Sequence, residues 1–188
     1  DKNRNNINYG TIVKPVDTEA GKTAGLGAKG KPFNIYFSAL AKADTVKLKP
    51  SKVTEVKIGE KGLDNLKEVL PNIGTKEWQQ LKVIIPPDSL KTDQGEPVKE
   101  VSIMAFPPER IPAPVPLGMD PDYVFTVKAE SATVVEGNAQ VEFPNVDNLK
   151  PGERTFIMSF DHDDGQWKET GTAVVSPDGK KLVTEGTT

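Results

Sequence analysis

Along most of this 188-residue chain the apolar positions recur every second residue, the spacing of a half-buried β-strand. In "PFNIYFSAL" (32–40) Phe33, Ile35 and Phe37 share one face. "TVKLKP" continues with Val46 and Leu48, and "VTEVKI" with Val53 or Val56 and Ile58. Further along, "WQQLKVIIPP" runs apolar into a double proline, and "VSIMAF", "DYVFTV", "AQVEF", "RTFIMSF", "QWKETGTAVV" and "KKLV" read as strands. In "RTFIMSF" the alternation puts Phe156, Met158 and Phe160 on one face, expected to be the core face, with Trp167 closing the same layer. One stretch breaks the period. In "GLDNLKEVLP" Leu63, Leu66 and Leu70 recur at helical spacing until Pro71 stops the run, which predicts one short helix.

The linkers carry turn chemistry: Pro144-Asn145, Pro151-Gly152, Asp164-Gly165 and Pro177-Asp178-Gly179. Without helical crossovers between them, the strands are expected to be antiparallel. "PPERIPAPVPLGMDP" (107–121) holds six prolines and reads as an extended connection. Its interleaved Ile111, Val115, Leu117 and Met119 are expected to bring it down onto its own sandwich. The expectation is therefore an all-β protein, an antiparallel β-sandwich with one short helix in the N-terminal half. Residues 1–77 form a strand-rich segment and 78–188 a sandwich module, with shared sheets and a single domain as the alternative.

Composition narrows the function. Sixteen prolines and sixteen glycines suit many short strands joined by turns rather than an α/β enzyme. The net charge is -3 with both signs interspersed, and aromatics are 6% of residues, so neither a phosphate-tracking stripe nor a base-stacking platform is present and nucleic acid is not an expected partner. Zero cysteines exclude disulfides, thiolate metal sites and cysteine nucleophiles. No apolar run approaches the ~20 residues that span a bilayer as a helix. The glycine-rich stretch 19–31 is read as a loop: Gly21-Lys22-Thr23 is like the end of a P-loop, but the first glycine that motif needs falls on Val16. A chain opening at Asp1 without a signal-peptide pattern is expected to be processed or trimmed.

"VIIPPDSL", "MDPDYVFTV", "VEFPNVDNLKPGE", "SFDHDDGQW" and "GTAVVSPDGKKLV" together resemble a β-sandwich module of large bacterial surface and secreted proteins. The module is similar in strand layout to the sandwich of ankyrins and netrin receptors. The resemblance covers about residues 80–185 and is most specific from Phe143 to Gly179; residues 1–77 match no named pattern. It implies a non-enzymatic structural or adhesion role outside the cell, with other protein domains or subunits as partners. It also implies a chain cut from a longer polypeptide. Some ankyrin-type relatives cleave themselves at His-Phe-Ser; here the strand reads Met158-Ser159-Phe160, so self-cleavage is not expected.

"SFDHDDGQW" (159–167) holds the candidate metal ligands Asp161, Asp163 and Asp164 beside the single histidine, His162. Calcium takes six to eight oxygens, and aspartates in a tight loop supply them, commonly as Asp-x-Asp-x-Asp-Gly. The order here is one residue short of that spacing, which favours a hairpin turn with Gly165 at positive φ over a calcium site. No nucleophile elbow or paired base accompanies His162, and no catalytic residue is expected. A paired-carboxylate glycosidase is disfavoured by the shortage of aromatics for a sugar cleft. Tyr36, Trp78, Tyr123 and Trp167 are the candidates for a sugar-stacking platform; Trp78, flanked by "GTKE" and "QQ", is the one expected to be exposed, although a core role competes. The leading expectation is thus a structural module of a surface assembly, and the alternative is a carbohydrate- or ligand-binding module, calcium-supported in one variant.

Overall fold

In a computed structural model, the structure describes residues 7–9, 19–22, 39–41, 44–60, 62–63, 74–92, 94–105, 111, 115–129, 132–135, 139–161 and 164–185. All but the last two residues of the strand expected at 32–40 and most of the helix expected at 62–71 lie outside them. The described part of that helix, Gly62 and Leu63, is helical, with the Leu63 N–H donating to the Gly59 carbonyl at 3.0 Å. Asp44, eighteen residues upstream, starts this turn: its buried carboxylate accepts the Gly62 N–H at 2.7 Å. Gly59 lies so close to that carboxylate that any Cβ there would collide with it. An orphan helical donor is thereby satisfied from a distant segment, as an N-cap does locally.

Every strand pair is antiparallel, and the architecture is all-β. The strands are β1 (Ile7–Tyr9), β2 (Ala39–Ala41), β3 (Val46–Lys47), β4 (Thr54–Lys57), β5 (Lys82–Ile85), β6 (Leu90–Thr92) and β7 (Glu100–Ala105). They continue with β8 (Phe125–Ala129), β9 (Ala132–Val135), β10 (Gln140–Pro144), β11 (Arg154–Asp161), β12 (Gln166–Val175) and β13 (Lys181–Glu185). A six-stranded sheet runs β11-β12-β13-β10-β5-β4 and faces a three-stranded sheet β3-β7-β8; β1-β2 and β6-β9 are two-stranded ribbons. β4 pairs with β5 and β3 with β7, so both sheets cross the expected boundary at residues 77 and 78.

The main core lies where the two sheets face each other. Val56, Val83 and Ile85 from the large sheet meet Val101 and Ile103 from the small one, with Val141 and Phe143 packed against them. Between β4 and β5 sits the single helix with described bounds, α1 (Thr75–Gln80). "WQQ" is thus helical rather than the beginning of a strand, and β5 starts only at Lys82. The helix is a short plug: Trp78 and Leu81, three residues apart, are both sealed in the core, while Lys76, Gln79 and Gln80 stay in water.

The opposite face of this end is polar and ordered by charge. Lys82 on β5 bridges Glu55 on β4 at 3.2 Å and Glu142 on β10 at 3.3 Å, and Lys181 on β13 completes the row to Glu142 at 2.8 Å. Burial raises the Glu142 pKa, but the two lysines outweigh it and hold the carboxyl below its usual range. Opposite charges on neighbouring strands are the sheet counterpart of helical ion pairs, and here they tie four strands in register.

Candidate functional site: an apolar cleft beside an acidic turn

The acidic turn is built by one aspartate. The Asp161 carbonyl accepts the Gly165 N–H at 2.8 Å, and its carboxylate accepts the Asp164 N–H at 3.1 Å. Gly165 has φ 66°, the left-handed conformation in which a Cβ is penalised, so the Asp164-Gly165 pair closes the hairpin as expected. From the start of β12, Lys168 reaches back and its ammonium bonds both Asp161, at 2.6 Å, and Asp164. Those two carboxylates raise the Lys168 pKa, chiefly by accepting its hydrogen bonds. Any metal ion taken up by Asp161 and Asp164 must therefore displace a lysine already seated between them. Asp163 and His162 lie outside the described residues.

β11 and β12 form the longest hairpin, and its faces differ from expectation. Ile157 joins the second, smaller core with Ala173, Val175, Leu182 and Leu149. Phe156, next to it, takes the other face and is 62% exposed, whereas Met158 and Phe160 are half-buried. Phe160 and Trp167 stay together as expected, paired across the strands with ring centroids 5.5 Å apart, edge to face. A bulge at Thr170 skips one residue between Ile157↔Gly171 and Met158↔Glu169. The Thr170 hydroxyl lies 3.1 Å from that of Ser159. The burial of the three residues expected on one face is not uniform: Phe156 is exposed, Met158 and Phe160 beyond the bulge are half-buried, and Ser159 between them is exposed.

Trp78 does not provide an exposed platform. It is 1% exposed, with its ring 5.0 Å from that of Tyr123 in an edge-to-face contact, and Tyr123 in turn lies 5.7 Å from Phe143. The polar sequence around Trp78 belongs to the solvent side of α1, whereas the indole sits on its single buried position. Its Nε1 and the Tyr123 hydroxyl are both buried without a hydrogen-bond partner among the described residues. Burial, then the charge of Asp122, pushes the Tyr123 hydroxyl pKa up. Of the other candidates, Tyr36 lies outside the described residues and Trp167 stands at the hairpin end with Phe160.

Between the small sheet and the β11 end of the large one lies a cleft of about 690 Å3. Consecutive residues Tyr123–Val127 and Thr155–Phe160 line it. In a strand, consecutive side chains point to opposite faces, so a continuous run lining one space means that the strand presents its edge. Among the described strands β8 and β11 are the outer ones of their sheets. Apolar lining comes also from Ile111 and Val115 of the proline-rich connection, while Leu117 stands fully in solvent, so that segment lies down only in part.

Three aspartates, Asp120, Asp122 and Asp147, are the only charged residues lining the cleft among the described residues. Asp122 is pushed up to about 6, first by burial, then by a hydrogen bond to the Asp147 carboxyl and by the charges of Asp147 and Asp120. The sequence reading passed these residues over, because "DPD" and "NVDN" are also turn-forming stretches. Only the fold brings the two stretches together. Asn145 anchors the second: its side chain donates to the Leu149 and Gly179 carbonyls at 2.8 and 2.9 Å and accepts the Leu149 N–H at 3.0 Å.

No family model, curated protein or solved structure matches this chain.

Proposed function

We propose that this chain is a non-catalytic structural or adhesion module of a bacterial cell-surface or secreted assembly, acting through protein–protein contacts. The observation that carries the reading is the apolar cleft between β8 and β11, the outer strands of their sheets among the described strands, with Phe156 exposed at its rim. Contiguous exposed apolar surface is a feature that proteins suppress unless a partner covers it. The resemblance of residues 80–185 to the bacterial surface module supports the extracellular setting. Glycoside hydrolysis is poorly served by Asp122 and Asp147, which interact at hydrogen-bond range, whereas glycosidase carboxyl pairs stand about 5–9.5 Å apart.

A second reading, a carbohydrate- or ligand-binding module, is favoured by the cleft volume, which lies within the range of small-molecule sites. Affinity electrophoresis in gels cast with cell-wall and plant polysaccharides, with thermal melts in excess calcium and in chelator, separates the two. The structural module migrates unretarded in every gel and melts identically in both buffers. A ligand at 100 times its dissociation constant stabilises by about 2.7 kcal/mol, so retardation, or a calcium shift of several degrees, would replace the first reading with the second.

A further inference from the structure

We infer that the polar pocket beside α1, where Lys57, Lys82 and Lys181 converge with Gln79 and Gln80, receives a carboxylate side chain from an acidic segment of a partner protein. This deepens the protein–protein reading and rests on it. The pocket has a volume of about 230 Å3, and β4, β5, β10, β13 and α1 all contribute to its lining.

The strand register explains why the ammonium groups meet. Lys57 and Lys82 are cross-strand partners, as are Lys82 and Glu142, so all three stand on the outer face of the large sheet. Glu55 lies two residues before Lys57 on that face, and Lys181 joins from β13 through its 2.8 Å contact with Glu142. Along this row two carboxylates face three ammonium groups. Lys82 takes both carboxylates, at 3.2 and 3.3 Å, and Lys181 shares the second. Lys57 is exposed and pairs with no described carboxylate. Like charges directly opposite each other destabilise a strand pair. An incoming carboxylate between Lys57 and Lys82 turns that cost into binding and continues the alternation of signs by one place.

The glutamines complete the receptor. Both are exposed at the end of α1, and Gln80 gives one N–H to the Lys76 carbonyl at 3.1 Å, which holds its side chain along the helix. Side-chain amides donate to a carboxylate without adding charge. α1 has six residues, so the partial negative charge of its C-terminus is small beside three ammonium groups. Lysine already receives carboxylates on this face, in Glu55 and Glu142. Exposed ion pairs are individually weak, so the matching partner is a segment that presents several acidic residues rather than one.

The probe is a fluorescent Glu-Ser repeat peptide, with a Gln-Ser copy as its neutral twin. Anisotropy titration with the full chain at low salt is expected to show saturable binding of the first and none of the second up to about 1 mM. Lys57→Glu is expected to weaken binding about tenfold or more, because an attraction becomes a repulsion. Lys150→Glu makes the same change of net charge at an exposed lysine outside the pocket lining, and should alter binding less than about twofold. Lys57→Glu sets a carboxylate opposite Lys82, so its melting midpoint should rise by about 1–3 °C at low salt. On the unaltered chain, NMR titration with the Glu peptide should shift the side-chain amides of Gln79 and Gln80 and leave those of Asn145 and Asn148 in place.

Loss of binding in Lys57→Glu but not in Lys150→Glu, with the two glutamine amides shifted, supports the inference. No saturable binding, equal loss in both variants, or equal binding of the neutral twin overturns it. A lowered midpoint in Lys57→Glu overturns it too, since Lys57 would then serve the fold. Displacement of the peptide by about tenfold less inorganic phosphate than succinate would make this a phosphate site instead. These failures leave the parent reading standing; polysaccharide retardation or a calcium-dependent melt overturns that reading whatever the peptides do.

Discussion

At one end of the six-stranded sheet β4, β5 and β10 face the small sheet; at the other, β11 and β12 extend beyond it. The first end keeps Val56, Val83 and Ile85 at 0–3% exposure and answers them on the outer face with the Glu55–Lys82–Glu142–Lys181 row. The second end has the same alternating sequence style, yet Phe156 stands 62% exposed, and the residues opposite it at the hairpin end are Ser159, Asp161 and Lys168. Alternation decides which side chains share a face. Whether that face is dry depends on a second layer that the strand itself does not supply.

The largest test of this contrast is a pair of truncations. Trp78→Ala is expected to cost about 3–5 kcal/mol in urea denaturation, the range for a large aromatic removed from a closed core. Trp78→Phe should cost far less, since the indole N–H has no partner among the described residues to lose. Phe156→Ser at the open end should change stability by less than about 0.5 kcal/mol. Comparable losses for Trp78→Ala and Phe156→Ser would show that the hairpin is covered in solution and abolish the distinction.

A middle-sized effect is expected at the join between the two ends. The buried Thr184 hydroxyl on β13 accepts the Val141 N–H of β10 at 2.9 Å. Thr184→Val keeps the shape but leaves that amide unpaired, which should cost about 1–3 kcal/mol. A cost near zero, with unchanged amide exchange at Val141, would show that the bond contributes nothing to the join.

The smallest effect sharpens the chemistry of the cleft. Asp122 titrates near pH 6 in the folded chain against an ordinary value of 3.8, so the folded state holds this proton more tightly than the unfolded state. Its contribution to stability is therefore greatest below about pH 3.8 and declines as pH rises through about 6. Between pH 7 and 5 the protein should gain stability, by less than about 1 kcal/mol because the carboxyl remains partly solvated. Asp122→Asn should flatten that gain. An unchanged slope in the variant would assign the titration to another group.

How far the sequence could be read follows from these particulars. Most of the strands, their antiparallel pairing and the turns at Gly152, Gly165 and Gly179 were legible, because the two-residue period and turn chemistry act over a few residues. The short β1, β6 and β9 were not read as strands. The three glycines do take positive φ, where a side chain is strained. α1 was missed because its single buried residue makes no periodic stripe: six residues with one tryptophan read as well as a strand end. The acidic turn was visible as a turn, but Lys168 was not visible as its counter-ion, since Asp161 and Lys168 meet only through the hairpin register.

What the sequence alone determined is local: an all-β chain, its hairpins and the grouping of side chains along each strand. The tertiary structure decided the rest. Sheet pairing set Trp78 inside and Phe156 outside, joined Asp122 to Asp147 across twenty-five positions, and left β8 and β11 on one cleft. The physical reason is range. Backbone period and turn preference are properties of neighbouring residues, whereas burial, carboxyl coupling and a shared cleft depend on which distant strands come to lie beside one another.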